Sequence, residues 1–469
     1  MSTSENDIKR SKFSYKRGLA YSIGQMSDIT SYQTFTFLVF TFYYAVVGIN
    51  VFLITIGFII WAFWNSFNDF LIGYLSDRTH TKWGRRYPYI MFSIIPLAFI
   101  MFFLFTPLFP IGTDYQIANF VYFLIIIIIF ELFFTMYDLN YTALFPELFL
   151  TLEERTKANN LRQAFAIIGL IMAFVLPGLF ITDYSDPQYL GEYQLFGIII
   201  AIIVIIPGLI FLKITPREKA EFQQDYKKTP RFIDSIKTCV KSKSFMWYIP
   251  AEVANWFVYG ILPAIVPLYG KFVLQITDTL LLSLLLGVAF ISAAIFMTIL
   301  WKPVVQKIGP RKSWLMSMSI WIATLIPLLF IGDMISGFIV FFLIGIGLSG
   351  SLYIIDIIIS DIIDEDEINT GIRREGAYYG VNMFLMHLST VFVFLAISSV
   401  FTTVGWAVFE PENITPEIIF GLRSLMAIFP SIAIFIALLV IYKYPLDGER
   451  LKQVKQQREK LHEEKKSKI

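Results

Sequence analysis

The sequence predicts an all-α membrane protein, with twelve transmembrane helices in two six-helix bundles related by a pseudo-two-fold axis and both termini cytoplasmic. Three observations predict it. The 469 residues are 56% hydrophobic and only 16% charged, against about 25% charge in a soluble domain. Apolar stretches of membrane-crossing length recur six times on either side of a basic linker. The lysines and arginines are also one-sided: of 38, all but Lys271 and Arg423 fall on one side of the resulting weave.

A helix needs about 20 mostly apolar residues to cross ~30 Å of hydrocarbon. Segments of that kind lie at 18–46, 51–76, 87–108, 117–148, 158–181 and 194–214, then at 245–274, 279–300, 313–332, 336–360, 376–403 and 419–443. This divides the chain into a first bundle (1–214), a cytoplasmic basic linker (215–244), a second bundle (245–443) and a cytoplasmic charged tail (444–469). Basic loops stay inside. The opposite loops are acidic, with Asp183, Asp186, Glu192, Glu410, Glu412 and Glu417. The basic start, 1–17, lacks a leader's apolar core and small-residue cleavage site, so the first span is expected to act as its own insertion signal. The single cysteine, Cys239, excludes a disulfide framework.

Charges inside a span are costly and usually face a cavity. Those well inside the expected spans are Asp28, Asp69, Glu131, Asp138, Arg162, Glu252, Asp356 and His387. Asn65 and Asp69 are four apart and share a helix face, with Asn68 beside them; Thr135 and Asp138 are three apart on another span. Carboxylate, amide and hydroxyl oxygens converging in a dry site suit a small hard cation such as Na⁺. A lone carboxylate in the same place suits H⁺ instead. Histidine changes charge near neutral pH, so His387 is a candidate proton or substrate contact.

Two loops occupy equivalent places in the two halves: Gly73 to Arg86, with Asp77, Arg78 and Arg85, and Lys302 to Lys312. The first is similar to the signature loop of the major facilitator superfamily, which implies that fold. A dense alternation of charge follows the tenth span, with Asp361, Asp364, Arg373 and Glu375. Salt bridges there suit an inner gate that opens and closes during alternating access.

Four stretches carry a narrower likeness. They are Trp64-Asn65 to Asn68-Asp69 with Asp77-Arg78 and Trp83 to Arg85; Tyr137-Asp138 through Pro146-Glu147 to Arg155 and Arg162; Asp361 and Asp364 through Gly371, Arg373 and Glu375-Gly376 to Tyr379-Gly380; and Gly24 to Asp28. In them the chain resembles the glycoside–pentoside–hexuronide:cation symporters, the melibiose-carrier family. The resemblance implies secondary transport driven by a cation gradient. It places a cation site on Asn65, Asn68, Asp69 and Thr135. It places substrate contacts on Asp28 and Asp138, with Arg162 nearby and Asn382 and His387 on the eleventh span.

The chain departs from that pattern. Asn65 stands where the family often has aspartate, and His387 where its best-known sugar carrier has lysine. Thr142, beside Tyr141, stands where that carrier has tryptophan on the fourth span. Tyr141 or Trp256 is then the candidate to stack on a sugar ring. With Asn65 and His387 present, H⁺ is favoured over Na⁺ as the coupling ion. The leading expectation is cation-coupled symport of a sugar or glycoside by a monomer in the plasma membrane, with no cofactor and no nucleic-acid partner. A lysolipid or other amphiphile is the alternative cargo; the 47 phenylalanines suit an acyl chain or plain lipid packing. A non-transporting receptor or scaffold is the alternative of another class. No nucleophile triad, metal-ligand cluster or phosphate loop supports an enzyme.

Overall fold

A computed structural model describes residues 14–79, 81–149, 152–214, 239–371 and 375–467. Among them the regular structure is helical. Eleven helices are long and apolar enough to cross a membrane: α2 (Val51–Arg78), α3 (Tyr87–Leu104), α4 (Gln116–Leu148), α5 (Leu152–Phe174), α6 (Leu190–Ile214), α7 (Lys243–Phe272), α8 (Thr279–Ile308), α9 (Pro310–Leu329), α10 (Met334–Thr370), α11 (375–403) and α12 (Pro416–Tyr442). They are preceded by α1 (15–46), which is long enough but more polar. Its Ser27, Asp28, Thr30, Ser31, Gln33 and Thr34 are buried. A helix surrounded by other helices need not offer an apolar face to lipid, and this is why α1 reads as less membrane-like than its neighbours.

The helix pairings repeat between the halves. In the first, α1 packs on α5 and α6, α2 on α4, and α3 on α4 and α6. In the second, α7 packs on α11 and α12, α8 on α10, and α9 on α10 and α12. Adding six to each number converts one set into the other, the pattern of a parallel two-fold repeat. The halves meet through α2 against α11, α5 against α8, and α1 against α7. The expected linker, 215–244, lies mostly outside the described residues.

Small residues let helices within a half approach closely, since lipid provides no hydrophobic push between them. Gly345 on α10 faces Ser292 and Ala289 on α8. A Cβ at that position would lie 2.6 Å from the Ala289 carbonyl oxygen and 1.7 Å from Ser292 Oγ. Gly345→Ala is therefore expected to force α8 and α10 apart. It should lower stability by roughly 1–3 kcal/mol, the usual cost of overpacking, read as a lowered unfolding midpoint in detergent.

At ~1.5 Å per residue, the 37 residues of α10 make a rod of about 55 Å. It overshoots the hydrocarbon layer and carries Asp361, Asp364 and Glu365 beyond it. The charged tail is not a loose strand: Gly448–Ser467 forms α13, which packs against this overhang. Lys455 lies 3.3 Å from Asp361, Arg458 2.6 Å from Asp364, and Arg450 2.5 Å from Glu365. Glu365 also accepts a bond from Ser244 on α7. The acids assigned to a gate with Arg373 are thus engaged by α13. Arg373 and the side chain of Glu375 lie outside the described residues.

The two cations on the acidic side have local explanations. Lys271 pairs with Asp183 at 2.5 Å. Arg423 donates to the carbonyls of Leu329 (2.5 Å), the last residue of α9, and of Ile331 (3.0 Å) just beyond it. On the basic side Arg311 performs the same service for α12, bonding the Ile441 and Tyr442 carbonyls and Asp447.

Candidate functional site

A cavity of about 790 Å³ lies between the bundles. Helices α1, α2 and α4 line one side and α7 and α11 the other. Its acidic end is shut by aromatic rings. Phe58 of α2 and Phe394 of α11 stack at 3.7 Å with planes 4° apart; Phe40 packs on Phe394, and Tyr44 stacks on Phe401 at 5.2 Å. Hydrogen bonds join the bundles at this end as well. Val51 N–H donates to the Ala407 carbonyl at 2.8 Å, and Thr55 Oγ1 to that of Phe394 at 3.2 Å. Lys271 of α7 reaches both Asp183 and Ser185 of the first bundle.

Toward the other end the walls open. Phe58 and Phe394 are 3% and 6% exposed, whereas Tyr379 and Met383 at the basic end are 38% and 44%. Thr142 and Arg86 also line this half. The bundles are therefore closed together at the acidic end and parted toward the basic end.

At mid-depth the polar side chains form two groups. In the first, Asp69 of α2 meets His387 of α11, with Oδ2 3.0 Å from Nε2. The other ring nitrogen, Nδ1, lies 3.1 Å from Asn65 Nδ2. Thr135 Oγ1 of α4 lies 3.0 Å from Asp69 Oδ1 and 3.2 Å from Glu131 Oε1. The i, i+4 spacing on α2 sets Asn65 and Asp69 one turn apart, so a single imidazole spans both. The chemical consequence is an acid–base pair across the bundle interface. A proton can reside on either partner, and its presence decides whether the contact is an ion pair.

The second group is Asp28 of α1 and Asp138 of α4, which both line the cavity and lie close enough for their charges to interact. Gln25 Nε2 donates to Asp28 Oδ2 at 2.7 Å, and Thr142 Oγ1 to Asp138 Oδ1 at 3.2 Å. Asp28 Oδ1 is buried without a partner. Such an atom is costly unless a proton, water or ligand meets it. Arg162 sits behind the pair within electrostatic reach, its guanidinium 5.3 Å from the Phe145 ring centre.

The candidates not on the cavity wall have other partners. Asn68 is buried and donates to the Glu131 carbonyl at 3.1 Å, tying α2 to α4. Tyr141 is stacked on Tyr21 at 4.6 Å within the first bundle, and its hydroxyl donates to the Tyr21 carbonyl. Asn382 lies behind the wall, donating to Glu252 Oε1 at 3.3 Å. Of the loop residues, Arg78 covers the Tyr74 ring at 4.1 Å and Arg85 is buried. The side chain of Asp77 lies outside the described residues.

Glu131 was among the acids inside the expected spans but was given no site role, and the structure joins it to the Asp69 group. The signal was there: Glu131, Thr135 and Asp138 follow i, i+4, i+7, one helical face. Gln33, Tyr32, Phe134 and Tyr259 also line the cavity, and only their helical phase could have marked them.

The family model described as MFS/sugar transport protein matches residues 20–448. An uncharacterised symporter of Synechocystis is 23% identical, over 96% of this chain and 97% of its own. A protein of Escherichia coli named a sulfoquinovose importer is 25% identical over 94% of this chain and 92% of its own. The crystal structure of the nucleoside transporter NupG superimposes with a TM-score of 0.67 at 15% identity, covering 91% of this chain and 99% of that one.

Proposed function

The chain belongs to the MFS/sugar transport protein family, a multi-pass membrane transporter, and on that premise we propose that it is a proton-coupled symporter of a sugar or glycoside in the plasma membrane. The observation that carries the coupling ion is the Asp69–His387 pair. Its imidazole meets Asp69 Oδ2 with one ring nitrogen and the Asn65 amide nitrogen with the other, so a base sits beside the carboxylate where a bound metal ion would sit. With asparagine at position 65 and a base already seated against Asp69, the site favours H⁺ over Na⁺.

The mechanism follows from which groups bridge the bundles. The basic end faces the cytoplasm under the positive-inside rule, so the closed acidic end is the outer gate. When that gate is open, a proton enters the Asp69–His387 pair from outside. Asp28 and Asp138 then accept hydrogen bonds from the substrate's hydroxyls. Loaded, the bundles rock about α1 and α7 and the aromatic plug closes. Substrate leaves toward the basic end, and the proton follows. Coupling requires that the unprotonated pair disfavour the loaded, closed form, because a ligand shifts an equilibrium only by its differential affinity for the two states.

Uptake of a panel of sugars and glycosides under imposed gradients tests this reading. Accumulation driven by an inward pH gradient without Na⁺ is expected. Accumulation driven by Na⁺ at constant pH, indifferent to the pH gradient, would overturn the proton assignment.

A further inference from the structure

The first bundle contributes most of the cavity's charge, and both bundles contribute rings, Tyr32 and Phe134 from the first and Trp256 and Tyr259 from the second. Trp256 of α7 lines the cavity. Its indole Nε1–H donates to Glu252 Oε1 one turn away, at 2.9 Å. The same oxygen takes the Asn382 amide of α11. Tyr259 meets the indole edge-on at 5.1 Å and 72°. The ring is thus held by a bond at its nitrogen and a packed neighbour. Glu252 is 1% exposed and does not line the cavity. No cation among the described residues forms a salt bridge with it, so the coupling-ion mechanism leaves it without a role.

Position 142 on α4 offers only a hydroxyl, and Tyr141 is turned into the first bundle. Tyr32 and Phe35 of the first bundle are stacked on Phe134 and Phe130 of that same bundle, whereas Trp256 presents its indole from the opposite wall. We infer that Trp256 is the platform on which the substrate ring stacks, and that Glu252 is the positioning residue that fixes it. The inference rests on the sugar reading above and gives the second bundle its part in recognition. A sugar ring has an apolar C–H face and a hydroxyl rim. The face suits the electron-rich indole, while the rim suits the carboxyls of Asp28 and Asp138. A substrate held both ways ties the bundles together, and a free hydroxylated chain without a ring face would not.

The experiment uses the purified full-length chain and the 4-nitrophenyl α- and β-glycosides of glucose, galactose and xylose, with binding followed by tryptophan quenching and calorimetry. At least one glycoside is expected to bind. Trp256→Ala should raise its Kd about tenfold or more, and Trp256→Phe, which keeps a ring, no more than about threefold while reducing the quench. Glu252→Gln keeps an acceptor for the indole and should bind nearly as well as the parent. Glu252→Leu removes it and should raise Kd by about tenfold, with the maximal transport rate retained. Should either disruptive variant fail to fold, Trp256→Phe and Glu252→Gln still decide through the quench and the affinity. If Trp256→Ala binds as tightly as the parent while Asp138→Asn does not, the platform is elsewhere and the sugar reading stands. If the parent binds none of these glycosides but binds lysophosphatidylcholine, the sugar reading falls and this inference with it.

Discussion

Asp69→Asn is expected to abolish concentrative uptake while leaving exchange of substrate across the membrane. The asparagine keeps the size of the side chain and can still bond Thr135 and His387, the partners of Asp69 at 3.0 Å each. It cannot take up or release the coupling proton. The imidazole then has no carboxylate to pair with when protonated, and the loaded and empty carriers change conformation without regard to the proton gradient. With one proton per substrate, a gradient of one pH unit supports about tenfold accumulation, about 1.4 kcal/mol. The variant should equilibrate substrate to a ratio of about one instead. Radiolabelled uptake and counterflow in proteoliposomes distinguish the two: accumulation is lost and counterflow persists. Retained accumulation would remove Asp69 from the coupling site.

The second large effect is expected at Asp138. Asp138→Asn replaces a carboxylate acceptor by an amide in a cavity where Asp28 is the adjoining acid. A hydrogen bond to a charged group contributes about 1.5–3 kcal/mol, so the substrate Kd should rise by roughly 10–100-fold. Asp28→Asn should act in the same direction, and the double variant by less than the sum of the two, since the carboxyls form one unit. Calorimetric binding to the purified variants checks both. Stability should change little, because the Thr142 hydroxyl that bonds Asp138 can also bond the asparagine.

The apolar spans were legible in the sequence because they are local consequences of a hydrocarbon solvent. So were the clusters on one helix: Asn65 with Asp69 needs only the helical period. Contacts across the bundles were not legible. His387 is 318 residues from Asp69, and no spacing rule reaches between two helices that meet at a domain interface. The residue appeared as a substrate candidate, and the structure places it against the cation candidates instead. Orientation around a helix was the other obstacle. In an all-apolar span the hydrophobic period is weak, so Tyr141 and Thr142 could not be told apart as wall and interior. Asn68 likewise turned to the α4 backbone. Helix α13 was hidden by its charge: a polar stretch reads as solvated, and only the acidic overhang of α10 gives it a surface to fold on.

The proposed coupling moves substrate and proton together through the Asp69–His387 pair. Its most direct measurement is the pH change in a weakly buffered, Na⁺-free suspension of proteoliposomes when substrate is added with no gradient imposed. Alkalinisation of the outer medium is expected, equal in amount to the substrate taken up and absent in Asp69→Asn. Substrate entry with no proton movement, or proton movement that survives in Asp69→Asn, would contradict it.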